Sequence, residues 1–126
     1  MFVCPECQNA RSLDITSVID IGYDSRSDEI ALQLVECAAC RFRGVAVYEE
    51  SRRGSLDSEC VDHYGYKMDE VDIASLLALI SRCPRPRDES CACQTHIILN
   101  RRNETGRWNA LDDFKTTDYF TMELAG

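Results

Sequence analysis

The side chains best suited to chemistry in this chain are its eight cysteines: Cys4, Cys7, Cys37, Cys40, Cys60, Cys83, Cys91 and Cys93. Only two histidines accompany them, His63 and His96. Cys4-Pro5-Glu6-Cys7 and Cys37-Ala38-Ala39-Cys40 are two identical short steps separated by 29 residues. A two-residue gap lets both sulfurs of a tight knuckle face one ion about 2.3 Å away, and two knuckles complete a tetrahedron. A redox Cys-x-x-Cys needs only one such pair, set in a βαβ context. Disulfides belong to oxidising compartments, whereas Cys4 stands too close to the initiator for a secretory leader to precede it. The expectation is therefore a metal site in a cytoplasmic protein.

A second group is less regular. Cys83, Cys91, Cys93 and His96 fall within 14 residues, and all are zinc-ligand types. A segment this short closes around an ion at little loop entropy. The preferred reading is a second zinc held by three thiolates and one imidazole. Against it, Cys83 shares a face with Leu76 and Ile80, as a buried core cysteine would. Cys60 and His63 also stand at knuckle spacing and offer alternative ligands.

Other constellations carry less chemistry. Glu49-Glu50 and Asp112-Asp113 are adjacent carboxylates, but neighbours on a strand point to opposite faces. A phosphate-binding glycine loop, a Gly-x-Ser-x-Gly elbow and a His-Glu-x-x-His helix are all absent from the sequence. An all-thiolate or Cys3His zinc site is coordinatively closed, with no position for a substrate water. The reading is that the chain is not an enzyme. Trp108, Tyr64 and Tyr66 have the rings to stack on bases, but at this density core or core-edge packing is the preferred reading.

The elements that position these ligands can be read from periodicity. Residues 13–23 alternate, with Leu13, Ile15, Ile19, Ile21 and Tyr23 on one face, which is strand periodicity. Asp24-Ser25-Arg26-Ser27-Asp28 reads as a polar turn. Ile30, Leu32 and Leu34 then alternate into the second knuckle, and Val45-Ala46-Val47-Tyr48 forms a third strand. This segment, about residues 1–53, resembles a zinc ribbon of the kind found in small bacterial zinc-binding proteins. The residues that carry the resemblance are the two knuckles and the strand-like interval between them. The resemblance implies one structural zinc held by Cys4, Cys7, Cys37 and Cys40, with a three-stranded antiparallel sheet growing from the knuckles. It also implies either a protein-docking or a nucleic-acid-binding module. The interval is acidic where nucleic-acid-binding ribbons carry basic residues.

Beyond the ribbon, Asp69 opens a helix whose apolar stripe is Ile73, Leu76, Leu77 and Ile80, and Pro84 ends it. Ile97-Ile98-Leu99 reads as a strand, Asn103-Glu104-Thr105-Gly106 as a hairpin turn returning through Trp108. Phe120, Met122 and Leu124 suggest a last strand. The whole is a small, metal-stapled α+β chain: a zinc ribbon at 1–55 and an α+β extension at 56–126, packed as one unit. Fifty residues bury little surface on their own, so zinc contributes to folding.

Charge narrows the function. With 14 basic and 22 acidic residues the formal charge is −8. Two thiolate-bound zinc ions take it to about −11, a field that opposes phosphate backbones. A protein-interaction module, adaptor or regulatory, is the first reading, and a nucleic-acid-binding ribbon of a transcription or RNA-processing factor the second. No run is long and apolar enough for a membrane span. Strand directions bring the turn after residue 23 and the segment after residue 48 together at the end remote from the zinc, about 30 Å away. There Arg26, Asp28, Glu29, Glu50, Arg52 and Arg53 form a candidate docking surface of mixed charge.

Overall fold

The computed structural model describes residues 1–24, 28–51 and 60–124, apart from the side chain of Cys60. In chain order the elements are β1 (Leu13–Tyr23), β2 (Asp28–Cys37), β3 (Arg43–Ser51), β4 (Cys60–Met68), α1 (Glu70–Arg82), α2 (Gln94–Leu99) and β5 (Thr116–Thr121), with a 3-10 turn at Ala110–Asp113. The chain is thus α+β, and its sheet is antiparallel with the strands in sequence order. Phe2 bridges both Leu13 at the start of β1 and Leu124 just past β5. The sheet therefore curls, and its two edge strands meet through the N-terminus.

Two apolar clusters lie on opposite faces of this sheet. The larger gathers Ile19, Ile21, Ile30, Leu32, Leu34, Val45 and Val47 beneath Ile73, Leu76 and Ile80 of α1 and Leu99 of α2. The smaller gathers Leu13, Val35, Ala46, Phe42 and Met122 with Cys4 and Cys37 inside the curl. β1 serves both clusters because its register shifts between Ile15 and Ser17; a second shift falls between Asp20 and Gly22. An extra residue in a strand moves the following side chains to the other face. The sequence reading put Leu13 and Ile19 on one face; the first bulge separates them.

Inside the curl the walls approach closely. Gly65 of β4 faces Ala46 of β3 and Phe120 of β5, whose ring lies over it. A Cβ at Gly65 would stand 2.5 Å from Phe120 Cζ, so only glycine leaves room.

Several elements differ from expectation. β4 was not anticipated, although Tyr64, Tyr66 and Met68 alternate with His63, Gly65 and Lys67 across it. The stretch Ile97-Ile98-Leu99 lies in helix α2, not in a strand. Its β-branched residues favour a strand locally, but Cys93 Sγ accepts the His96 N–H as the helix cap, and Thr95 Oγ1 donates to Leu79 O at 2.6 Å. Ile97 and Ile98 then face outward at 62% and 39% exposure. In α1, Ile73, Leu76 and Ile80 are buried, while Leu77 sits at the exposed margin of the stripe. The last strand ends at Thr121, before Met122 and Leu124. The hairpin turn is present: Asn103 Oδ1 accepts from Thr105 and Arg107 N–H, and Arg102 bridges Trp108.

Candidate metal centres

Each cysteine knuckle is built by its own backbone. At the end of β2 the chain turns so that Ala39 and Cys40 N–H both donate to Cys37 Sγ at 3.3 Å. At the N-terminus Gln8 N–H returns to Cys4 O, with Gln8 in the left-handed region at φ 61°. The β1–β2 register sets Leu13 opposite Cys37, which brings the knuckles face to face. Their four sulfurs lie within 4.8 Å of one another. A tetrahedral ion with bonds of about 2.3 Å requires sulfur–sulfur edges of about 3.8 Å. Cys4–Cys40 measures 3.6 Å and Cys7–Cys37 3.7 Å. The cluster has the dimensions of a zinc-ribbon-like site.

The second cluster joins the end of α1 to the start of α2. Pro84 holds Cys83 in extended geometry at φ −75°, ψ 124°. Cys93 and His96 occupy one helical turn, where residues three apart share a side. The ligand atoms of Cys83, Cys91, Cys93 and His96 also lie within 4.8 Å of one another. Cys83 Sγ is 3.9 Å from Cys91 Sγ and 3.4 Å from Cys93 Sγ, and His96 Nδ1 is 3.2 and 3.4 Å from Cys83 and Cys93. Tetrahedral zinc with one nitrogen ligand requires sulfur–nitrogen edges of about 3.6 Å. His96 Nε2 lies 3.0 Å from Asp20 O. A carbonyl only accepts, so Nε2 carries a hydrogen, and Nδ1 is the ring nitrogen turned into the cluster as a ligand atom. The donor set suits a thiophilic, tetrahedral ion.

Electrostatics prepare one thiolate in each cluster. Burial would push the Cys37 thiol up, but Ser12 and the Cys40 and Ala39 N–H groups override it and lower it to about 6. Ser12 Oγ lies 3.0 Å from Cys37 Sγ: the neutral thiol donates to the hydroxyl oxygen, and once ionised the sulfur can take the hydroxyl hydrogen that otherwise goes to Asn9 O. Cys93 is lowered to about 6 by the His96 N–H and ring. Burial pushes their neighbours Cys4 and Cys83 up, to about 12 and about 11.

Two supporting residues were not anticipated from sequence, Ser12 and Asp20. At the second β1 bulge, Asp20 donates its N–H to Pro86 O, accepts from His96 Nε2 on its carbonyl, and pairs with Arg87 at 3.0 Å. The bulge is where the metal loop docks on the sheet.

The remaining candidates lie elsewhere. His63 is on β4, hydrogen-bonded to Gln33 at 2.7 Å and packed edge-on against Phe2 and Tyr48, and it belongs to neither cluster. The backbone of Cys60 pairs with Ser51, and its side chain lies outside the described residues. Arg26, Arg52 and Arg53 also lie outside them. Asp28 turns inward, 3% exposed, 2.6 Å from Arg107 Nη1, so it does not contribute to an open docking surface. Glu29 and Glu50 face each other across β2 and β3, half-buried. Tyr64 stacks on Tyr119, and Tyr66 meets both rings edge-on, with Tyr64 and Tyr66 packed at the margin of the larger core.

Among the described residues no helix is long and apolar enough to cross a membrane. Compared with known proteins, the chain matches no family model, no curated protein and no solved structure.

Proposed function

We propose that the chain is a zinc-binding interaction module, adaptor or regulatory, whose two Zn2+ ions are structural. The observation that carries this reading is that each cluster gathers four candidate ligand atoms within 4.8 Å of one another, as many as a tetrahedral ion takes. A closed shell leaves no position for substrate, so the ions hold the fold and do no chemistry. In this reading residues 1–55 form the zinc ribbon and residues 56–126 the extension that carries the second ion. A reducing, cytoplasmic setting keeps the thiolates available. The acidic charge favours a protein partner over nucleic acid.

The test has two arms on the zinc-loaded chain. Elemental analysis is expected to give two zinc per chain, retained in Cys60→Ser. Crosslinking in cell extract is expected to capture a protein, while a labelled oligonucleotide at low salt is not retarded. One zinc per chain, or salt-sensitive oligonucleotide binding, would overturn the corresponding half of the reading. Arg52→Glu with Arg53→Glu tests whether the end remote from Cys4–Cys40 is the docking surface.

A further inference from the structure

Among the described residues, the outer side of β5 is covered for only part of its length. Phe2 pairs with Leu124, and Val3 N–H bonds Glu123 O at 2.9 Å. Continuing that antiparallel register sets Pro5 opposite Thr121, and proline has no N–H to give. The chain also turns aside at this point into the first knuckle, where Gln8 N–H bonds Cys4 O. On the inner side Met122 N–H bonds His63 O. Strand alternation therefore turns the N–H and C=O of Thr121 outward.

These groups face a cleft of about 430 Å3 between β5 and the knuckle. Val3, Phe42 and Phe120 give it an apolar wall, the two rings in edge contact at 5.8 Å. Its rim carries Glu6, Asp118 and Glu123 against one cation, Lys67, which is paired with Glu6 at 2.7 Å. Asp118 holds φ 48°, which non-glycine residues rarely adopt, at the irregularity that interrupts β4–β5 pairing. Beside it Tyr119 is 62% exposed.

We propose that this edge takes up an extended segment of a partner protein as an added strand. One apolar side chain of the segment fills the cleft, and a lysine or arginine beside it meets the acidic rim. Main-chain hydrogen bonds to Thr121 supply affinity, while the cleft and rim select the sequence. The inference rests on the interaction-module reading and names the surface and the kind of partner.

The test is a random heptapeptide library displayed on phage and selected on the zinc-loaded full chain. Enriched peptides are expected to alternate apolar residues with lysine or arginine. Thr121→Pro removes the outward N–H and leaves the inner ladder intact, so affinity is expected to fall about tenfold. Glu123→Lys, at an exposed position, is expected to weaken the same peptides. Zinc content and melting temperature verify that both variants fold. No enrichment, or peptides that bind both variants as well as the parent, would overturn the proposal. A dimer detected by light scattering and lost in Thr121→Pro would assign the edge to a second copy of this chain instead. A cellular partner retained by Thr121→Pro leaves the module reading standing without this edge; absence of any protein partner removes both.

Discussion

Ser12→Ala isolates one hydrogen bond at the first metal centre. Ser12 is 5% exposed, and its Oγ lies 3.0 Å from Cys37 Sγ, so alanine removes the donor with little change in volume. Supporting hydrogen bonds to metal ligands typically change affinity by about 10–100-fold, equivalent to about 1.4–2.7 kcal/mol. The sign follows from the thiol. Cys37 is lowered to about 6 partly by Ser12, so losing that bond raises it and gives protons an advantage over the metal. Stability from a depressed thiol is present above its unfolded value and lost as pH falls through the folded one. In Ser12→Ala that loss moves to higher pH. The assay is competition with a chromogenic chelator between pH 5 and 8. Release of one zinc is expected at about 10–100-fold lower chelator concentration, with the second unaffected. Unchanged release, or equal weakening of both ions, would refute the reasoning.

Gly65→Val places a Cβ 2.5 Å from Phe120 Cζ and 2.9 Å from Val45 O; overpacking is expected to destabilise by about 1–3 kcal/mol in urea unfolding. Arg107→Met removes the cation 2.9 Å from Asp24 and 2.6 Å from Asp28, whose side chains are 1% and 4% exposed. Breaking such a buried pair costs about 3–5 kcal/mol, read by the same titration, whereas a surface pair gives below about 1.

How much could be read from sequence depended on how local the cause was. β1 and β2 were legible because apolar residues recur at every second position along most of each, and β3 because Val45-Ala46-Val47-Tyr48 is a short apolar run after the second knuckle. α1 was legible because Ile73, Leu76 and Ile80 repeat at helical spacing and Pro84 stops them. Spacing also grouped the residues that the fold brings within 4.8 Å in each cluster. α2 was not legible, because a six-residue helix is held by the Cys93 cap and the Thr95–Leu79 bond rather than by propensity. The β1 bulges were hidden for the same reason: the face change at Ile15–Ser17 is fixed by β2 pairing. Ser12 and Asp20 carry no signature, since each acts on a ligand far along the chain. β4 did leave a signal, the alternation of Tyr64, Tyr66 and Met68, which its glycine and polar residues diluted.

In the proposed reading, two closed tetrahedral zinc centres hold this fold, one of four sulfurs and one of three sulfurs and a nitrogen. Zinc-edge X-ray absorption on chain carrying its full metal complement tests it most directly. Two zinc per chain are expected, with an average shell of about 3.5 sulfurs at about 2.3 Å and about 0.5 nitrogen at about 2.0 Å. Replacing His96 by Ala should remove the nitrogen from that average and leave the Cys4–Cys40 centre filled. An oxygen-containing shell, or a single zinc per chain, would contradict the account.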